Sequence, residues 1–189
     1  MNINDNIHFS PSVLLKDLDL TNKNSLISAF EERMTEYFLK AIKLLNDQNN
    51  AYASAIIEFS MIDALAKYSV RISPKEKNPV KYRVTKLLQN NFSLETVLSE
   101  RAYDEFRNGL LHENNIKNSG QLCYTGSSKS FSTERGCLIV NPRQLEIELR
   151  QFFQSYIEKL KTDEEVYSLF LSHIKGDFEK EIAFFNQTN

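Results

Sequence analysis

Apolar residues recur at helical spacing along most of this chain, and almost nothing interrupts them. Only five glycines and four prolines occur in 189 residues. Those two residue types punctuate many-turned β folds, so their scarcity selects long helices. Leu26, Phe30, Met34, Tyr37, Phe38, Ala41, Leu44 and Leu45 predict a helix that starts near Thr21 or Ser25. The asparagine-rich residues 46–50 stop it. A second helix is expected over about 50–68, with Ala53, Ile56, Ile57, Ser60, Met61, Ala64 and Leu65 as its apolar stripe. Its small residues permit close helix approach. Ser73-Pro74 breaks the chain, and Pro79 opens a third helix over about 80–90. A fourth, capped at Ser93 or Ser99, runs through Tyr103, Phe106 and Leu110 towards His112.

Residues 113–143 are rich in Asn, Ser, Gly and Thr. Two β-like runs, 121–125 and 137–140, flank a polar loop there and predict a small hairpin. Asn141-Pro142 then initiates a helix over about 143–161, and two shorter helices, about 163–173 and 176–186, finish the chain. Residues 1–20 read as a polar arm, poorly ordered or loosely docked. The expected fold is therefore all-α: an up-and-down helical bundle with a β-hairpin-like insertion and a C-terminal helical extension. One domain is expected over 21–189, with its core at about 21–161.

Charge narrows the function classes. The chain carries 23 basic and 25 acidic residues, so no global excess marks a polyanion-coating protein, though a local basic face would suffice for RNA. No signal peptide or membrane span is visible, and the cytoplasm is the expected compartment. Cys123 and Cys137 lack the spacing of a metal site and read as reduced packing residues. His8, His112 and His173 show no zinc-binding spacing, and no glycine-rich phosphate loop or nucleophile elbow occurs. Neither a metal nor a cofactor is expected.

The segment Tyr103-Asp104-Glu105-Phe106-Arg107-Asn108-Gly109-Leu110-Leu111-His112 carries the chemistry. At 100° per residue, Tyr103, Phe106 and Leu110 share the core face, while Asp104, Asn108 and His112 share another. Arg107 and His112 are five apart, about 140° on an ideal helix. Three things would close that gap: the reach of arginine, a distortion near Gly109, or groups from a second subunit. Gly109 costs about 1 kcal/mol relative to alanine inside a helix; close approach of another backbone, such as across a dimer, would account for it, and so would a weak point near the helix end. A plainer account pairs Arg107 with Asp104 or Glu105 on the surface and makes His112 a C-terminal cap.

Arginine, a polar residue, three more residues and then histidine, late in a helical bundle, resembles the HEPN domain family. The resemblance covers roughly 21–161. It implies metal-independent RNA cleavage, in which a 2′-hydroxyl attacks the adjacent phosphate and leaves a 2′,3′-cyclic end. Histidine suits the proton transfer, and arginine suits the phosphate charge. The catalytic set is thus Arg107 and His112, with Asn108 orienting the imidazole or binding phosphate. Glu58, Asp63 or Asp104 would support them. The resemblance further implies a homodimer with a composite site, and a toxin–antitoxin or defence setting with an antitoxin or regulatory protein as partner. The alternative is a non-catalytic HEPN-like module that binds nucleotide, nucleic acid or a protein.

A basic run lies between the second and third helices: Lys67, Arg71, Lys75, Lys77, Lys81, Arg83 and Lys86, opposed only by Glu76. Beside the motif it would hold RNA phosphates; otherwise it is a solvated loop and helix end. Tyr68 and Tyr82 within it are candidates for stacking on bases. Asp63, Asp104 and Glu105 are candidates for a cation, although a hydrated surface is a sufficient account of them.

Overall fold

The computed structural model describes residues 7–125 and 128–187. The chain is mostly helical, with two small sheets. No helix among the described residues is long and apolar enough to cross a membrane. Two compact units are present: Met1–Tyr37 with Gln154–Asn189, and Phe38–Phe153.

The first unit holds β1 (His8–Ser10), β2 (Val13–Leu14) and α1 (Lys23–Met34). Composition predicts an arm over 1–20 that is poorly ordered or loosely docked. Residues 1–6 lie outside the described residues; over the rest, β1 and β2 pair antiparallel, and Phe9, Leu15 and Leu18 are buried. Three apolar anchors in a polar stretch are enough to dock it. Arg33 donates to the Phe9 carbonyl at 2.5 Å, and its guanidinium lies 5.2 Å from the Phe9 ring. Ser10 and Ser12 donate to Glu32, and those bonds hold its carboxyl below the usual range. The last helix, α8 (Glu164–Gln187), is continuous where two helices were expected. A Cβ at Gly176 would meet open space, and the helix passes through this glycine without a break. The core pairs Phe30 with Phe170 at 4.8 Å.

The second unit holds α2 (Lys40–Asp47), which follows a π-helical turn at Thr35–Leu39. After it come α3 (Ala51–Ser69) and α4 (Pro79–Asn91). Asn50 and Asn78 cap α3 and α4 by accepting from Ala53 and Lys81 N–H, and Pro79 occupies the first turn of α4. The motif helix is composite: α5 (Thr96–Arg101), a π-helical segment (Ala102–Asn108) and α6 (Gly109–Glu113). Neither expected serine caps it. Ser93 has φ 53° in the preceding loop, and Ser99 is buried inside α5.

The buried face of α3 is rotated from the expected stripe. Ser54, Ala55, Glu58, Phe59, Met61, Ile62, Leu65 and Ala66 are inside, while Ile56, Ile57, Ser60 and Ala64 are only half-buried. Phe59 stacks on Phe106 of the motif helix at 5.5 Å.

The insertion also differs from the expected hairpin. β3 (Gln121–Leu122) runs parallel to β5 (Cys137–Val140), and it is β4 (Phe131–Glu134) that pairs antiparallel with β5. Arg135 and Gly136, both at positive φ, make the β4–β5 turn. Two residues of β3 are too few to specify a partner by pattern alone. Finally, α7 (Pro142–Thr162) begins where Asn141-Pro142 predicts.

Candidate functional site

The motif lies in the second unit, where α3 and the composite motif helix run antiparallel. Tyr52, near the start of α3, donates from its hydroxyl to the Asn114 carbonyl at 2.5 Å. Eleven residues further along α3, Asp63 receives Arg107 Nη2 at 2.6 Å.

Arg107 and His112 are brought together within one chain: Arg107 Nη1 lies 2.6 Å from His112 Nε2. A π turn advances less per residue than an α turn. Arg107 and Asn108 sit in such a turn, so the offset to His112 falls below the ideal-helix value, and the arginine side chain spans the remainder. Guanidinium nitrogens only donate, so Nε2 accepts and the imidazole proton sits on Nδ1. Arg107 Nη1 also donates to Asn108 Oδ1 at 3.1 Å. Its Nε is buried without a partner, so the group is held by its terminal nitrogens alone.

Gly109 answers to the chain itself. A Cβ there would fall far inside van der Waals contact with the Asn115 carbonyl oxygen. The backbone turns back at Asn114, whose φ is 50°, and Asn115 N–H bonds to the Gly109 carbonyl at 3.0 Å. Lys117 N–H then reaches the Glu105 carbonyl at 3.0 Å. Of the two accounts of Gly109, the close backbone approach is the one seen, and the loop after the motif makes it.

The supporting carboxylates separate. Asp63 pairs with Arg107, as described. Asp104 receives Lys81 Nζ at 3.0 Å and Asn108 Nδ2 at 3.5 Å. The simple surface pairing of Arg107 with Asp104 or Glu105 does not occur, because Glu105 is buried and takes Arg101 at 2.6 Å. The expected acidic group for a cation is thus three separate ion pairs. No cluster of three or more potential metal ligands occurs among the described residues. Glu58 lies apart from the motif network, in a buried cluster on another face of α3. Asn46 Nδ2 reaches Glu58 at 3.5 Å and Glu146 at 3.0 Å, and Tyr124 donates to Asn46 Oδ1 at 3.1 Å. Burial pushes the Glu58 carboxyl well above its ordinary range.

Tyr103 is the member of the site that sequence reading left in the core. The Arg107 guanidinium lies 5.5 Å from its ring centre and Lys81 Nζ 5.8 Å. Its position four residues before Arg107 was the available signal. Of the basic run, Lys81 is joined to the motif, through Asp104. Lys86 turns to Gln89 and the Tyr82 ring, and Lys67 lies 6.0 Å from the Tyr68 ring. Arg71, Lys75 and Lys77 are exposed in the α3–α4 loop, and with Arg83 they form no ion pair among the described residues. A cavity of about 610 Å³ lies elsewhere, lined by Phe92, Leu94, Phe131 and Glu148 among others, and no motif residue borders it. Cys123 and Cys137 are both free thiols.

No protein-family model, curated protein or solved structure matches the chain.

Proposed function

We propose that this chain is a HEPN-like, metal-independent endoribonuclease that acts through Arg107 and His112. One observation carries the reading: the mostly buried Arg107 guanidinium and the exposed His112 imidazole are held 2.6 Å apart. In the reaction, the RNA 2′-oxygen attacks phosphorus and its proton passes to His112 Nε2. The O2′–P bond forms and the P–O5′ bond breaks, leaving a 2′,3′-cyclic phosphate and a 5′-oxygen that takes a proton from solvent. Arg107 turns from Nε2 to the phosphate oxygens, which frees the lone pair that does the base work. Asn108 steadies Arg107 through its side-chain carbonyl. The reading includes a homodimer through the motif helix and a defence or toxin–antitoxin setting with a protein partner.

The Asp63–Arg107 pair favours the second reading, a non-catalytic HEPN-like binding module, because an incoming phosphate must compete with a carboxylate already at 2.6 Å. Cleavage of mixed cellular RNA in EDTA separates the two readings. The nuclease reading expects cyclic phosphate ends from wild type and none from folded Arg107→Ala or His112→Ala. Cleavage that survives both substitutions removes this site from the reaction.

A further inference from the structure

The cavity of about 610 Å³ lies within the second unit, between the α4–α5 loop, β4 and α7. Phe92, Leu94 and Phe131 give it apolar walls, and Glu95 and Glu148 bring carboxylates to it. Sites that enclose a small organic molecule run from about 300 to 1,000 Å³. No motif residue borders this one, so what it takes is independent of the ribonuclease reading.

The walls are built into the fold. Phe92 packs against Phe152 of α7 with ring centres 6.2 Å apart, and Phe131 is held in β4 opposite Val140 of β5. Ser130 is buried, its carbonyl takes the Asn141 N–H at 2.8 Å, and its hydroxyl donates to Glu148 Oε2 at 2.7 Å. The carboxylate is thereby fixed in place. An ionised carboxyl has about four lone-pair positions, so one such bond leaves most of its acceptor capacity for a ligand.

The charge of the lining selects the ligand. Glu95 and Glu148 form no ion pair among the described residues. Lys129 also borders the cavity, and it has a partner already. Two carboxylates in a partly apolar setting repel an anion such as a phosphate. A bare metal ion is poorly served as well. No three potential metal-ligating side chains gather among the described residues, and hydrocarbon walls cannot replace the oxygens such an ion requires. A cationic group on an apolar body suits both halves of the lining. The carboxylate takes its N–H groups in charge-assisted hydrogen bonds, and the walls remove its hydrocarbon from water.

We propose that this cavity is a binding site for a small organic cation, with its ammonium or guanidinium group on Glu148 and its apolar body against Phe92 and Phe131. The test is titration of the full chain with 2-phenylethylamine, followed by amide NMR shifts. The amine is expected to saturate with a Kd on the order of 1 mM, as befits a ligand of its size. Its shifts should centre on residues 92–95 and 130–133. The uncharged analogue 2-phenylethanol should bind about tenfold more weakly. Glu148→Gln, which keeps an oxygen for Ser130, should weaken the amine about tenfold and leave the alcohol unchanged. No saturable shift at millimolar amine, shifts centred elsewhere, or an alcohol that binds as tightly as the amine would overturn the site. So would undiminished amine affinity in a Glu148→Gln protein that keeps the wild-type spectrum. Were that variant to misfold, the comparison of amine with alcohol on the wild-type chain decides alone.

Discussion

Glu58 and Asp63 stand five residues apart on α3 and have opposite surroundings. Glu58 is fully buried, and its Oε2 has no hydrogen-bond partner. Asp63 is 30% exposed at the side chain and holds a guanidinium. Both sit in networks of amides, carboxylates and arginines: Asn46, Glu146 and Arg150 around the first, Asn108, Asp104 and Arg107 around the second. The Glu58 network fastens α2, α3 and α7 together, and burial pushes the Glu58 carboxyl well above its ordinary range. Around Asp63, solvent reaches part of the carboxylate, and its partner is the Arg107 guanidinium rather than a buried amide. Access at the carboxylate, more than residue type, distinguishes the two positions.

The largest expected effect tests that division directly. His112→Ala should reduce RNA cleavage by about 10²–10⁴-fold while leaving stability to urea within about 0.5 kcal/mol of wild type, since His112 is exposed. Equal losses of activity and stability would make the motif a fastening as well.

Gly109→Ala comes next. The new methyl meets the Asn115 carbonyl, so a destabilisation of about 1–3 kcal/mol is expected in urea unfolding. Unchanged stability would show that the loop after α6 can move away.

Glu58→Gln sharpens the buried side through pH. Its folded pKa is raised above the ordinary glutamate value of 4.5, so the native state binds more protons than the unfolded chain above that value. Wild-type stability should therefore fall as pH rises from about 4.5 towards the folded pKa, by up to about 1.4 kcal/mol per pH unit. Glu58→Gln should lack this component, and the gap between the proteins should widen with pH. Parallel stability curves would mean that Glu58 titrates normally. The smallest effect is expected at Asp63→Asn, which leaves an amide oxygen for Arg107. The stability loss should stay below about 1 kcal/mol, and RNA should bind more tightly because the competing charge is gone. Weaker binding would assign Asp63 the task of aiming Arg107.

Much of the helical framework was legible. Asn50, Asn78-Pro79 and Asn141-Pro142 mark the starts of α3, α4 and α7 because caps act locally. The motif residues were legible as well, and the reach of arginine and a helix distortion were among the expected ways to bring them together; the π turn itself was not legible, because it leaves no periodic trace. The choice between Glu58 and Asp63 turned on which face of α3 is buried. Ile56, Ile57 and Ala64 suggested one face, and the packing of Ala55, Phe59 and Ile62 settled another. At the N-terminus, Phe9, Leu15 and Leu18 were too sparse to register against polar neighbours.

The π segment at Ala102–Asn108 has one more consequence. It is a phase slip in an otherwise regular helix. Residues before it and after it can both turn their apolar sides inward, and the surplus is absorbed where Arg107 sits. A chain one residue shorter there would close a more regular helix, with one of its halves out of phase with the core. Selection on such a chain would then act on the length of the segment more strictly than on its letters. Among descendants of this sequence, substitutions between Ala102 and Asn108 should accumulate more readily than insertions or deletions.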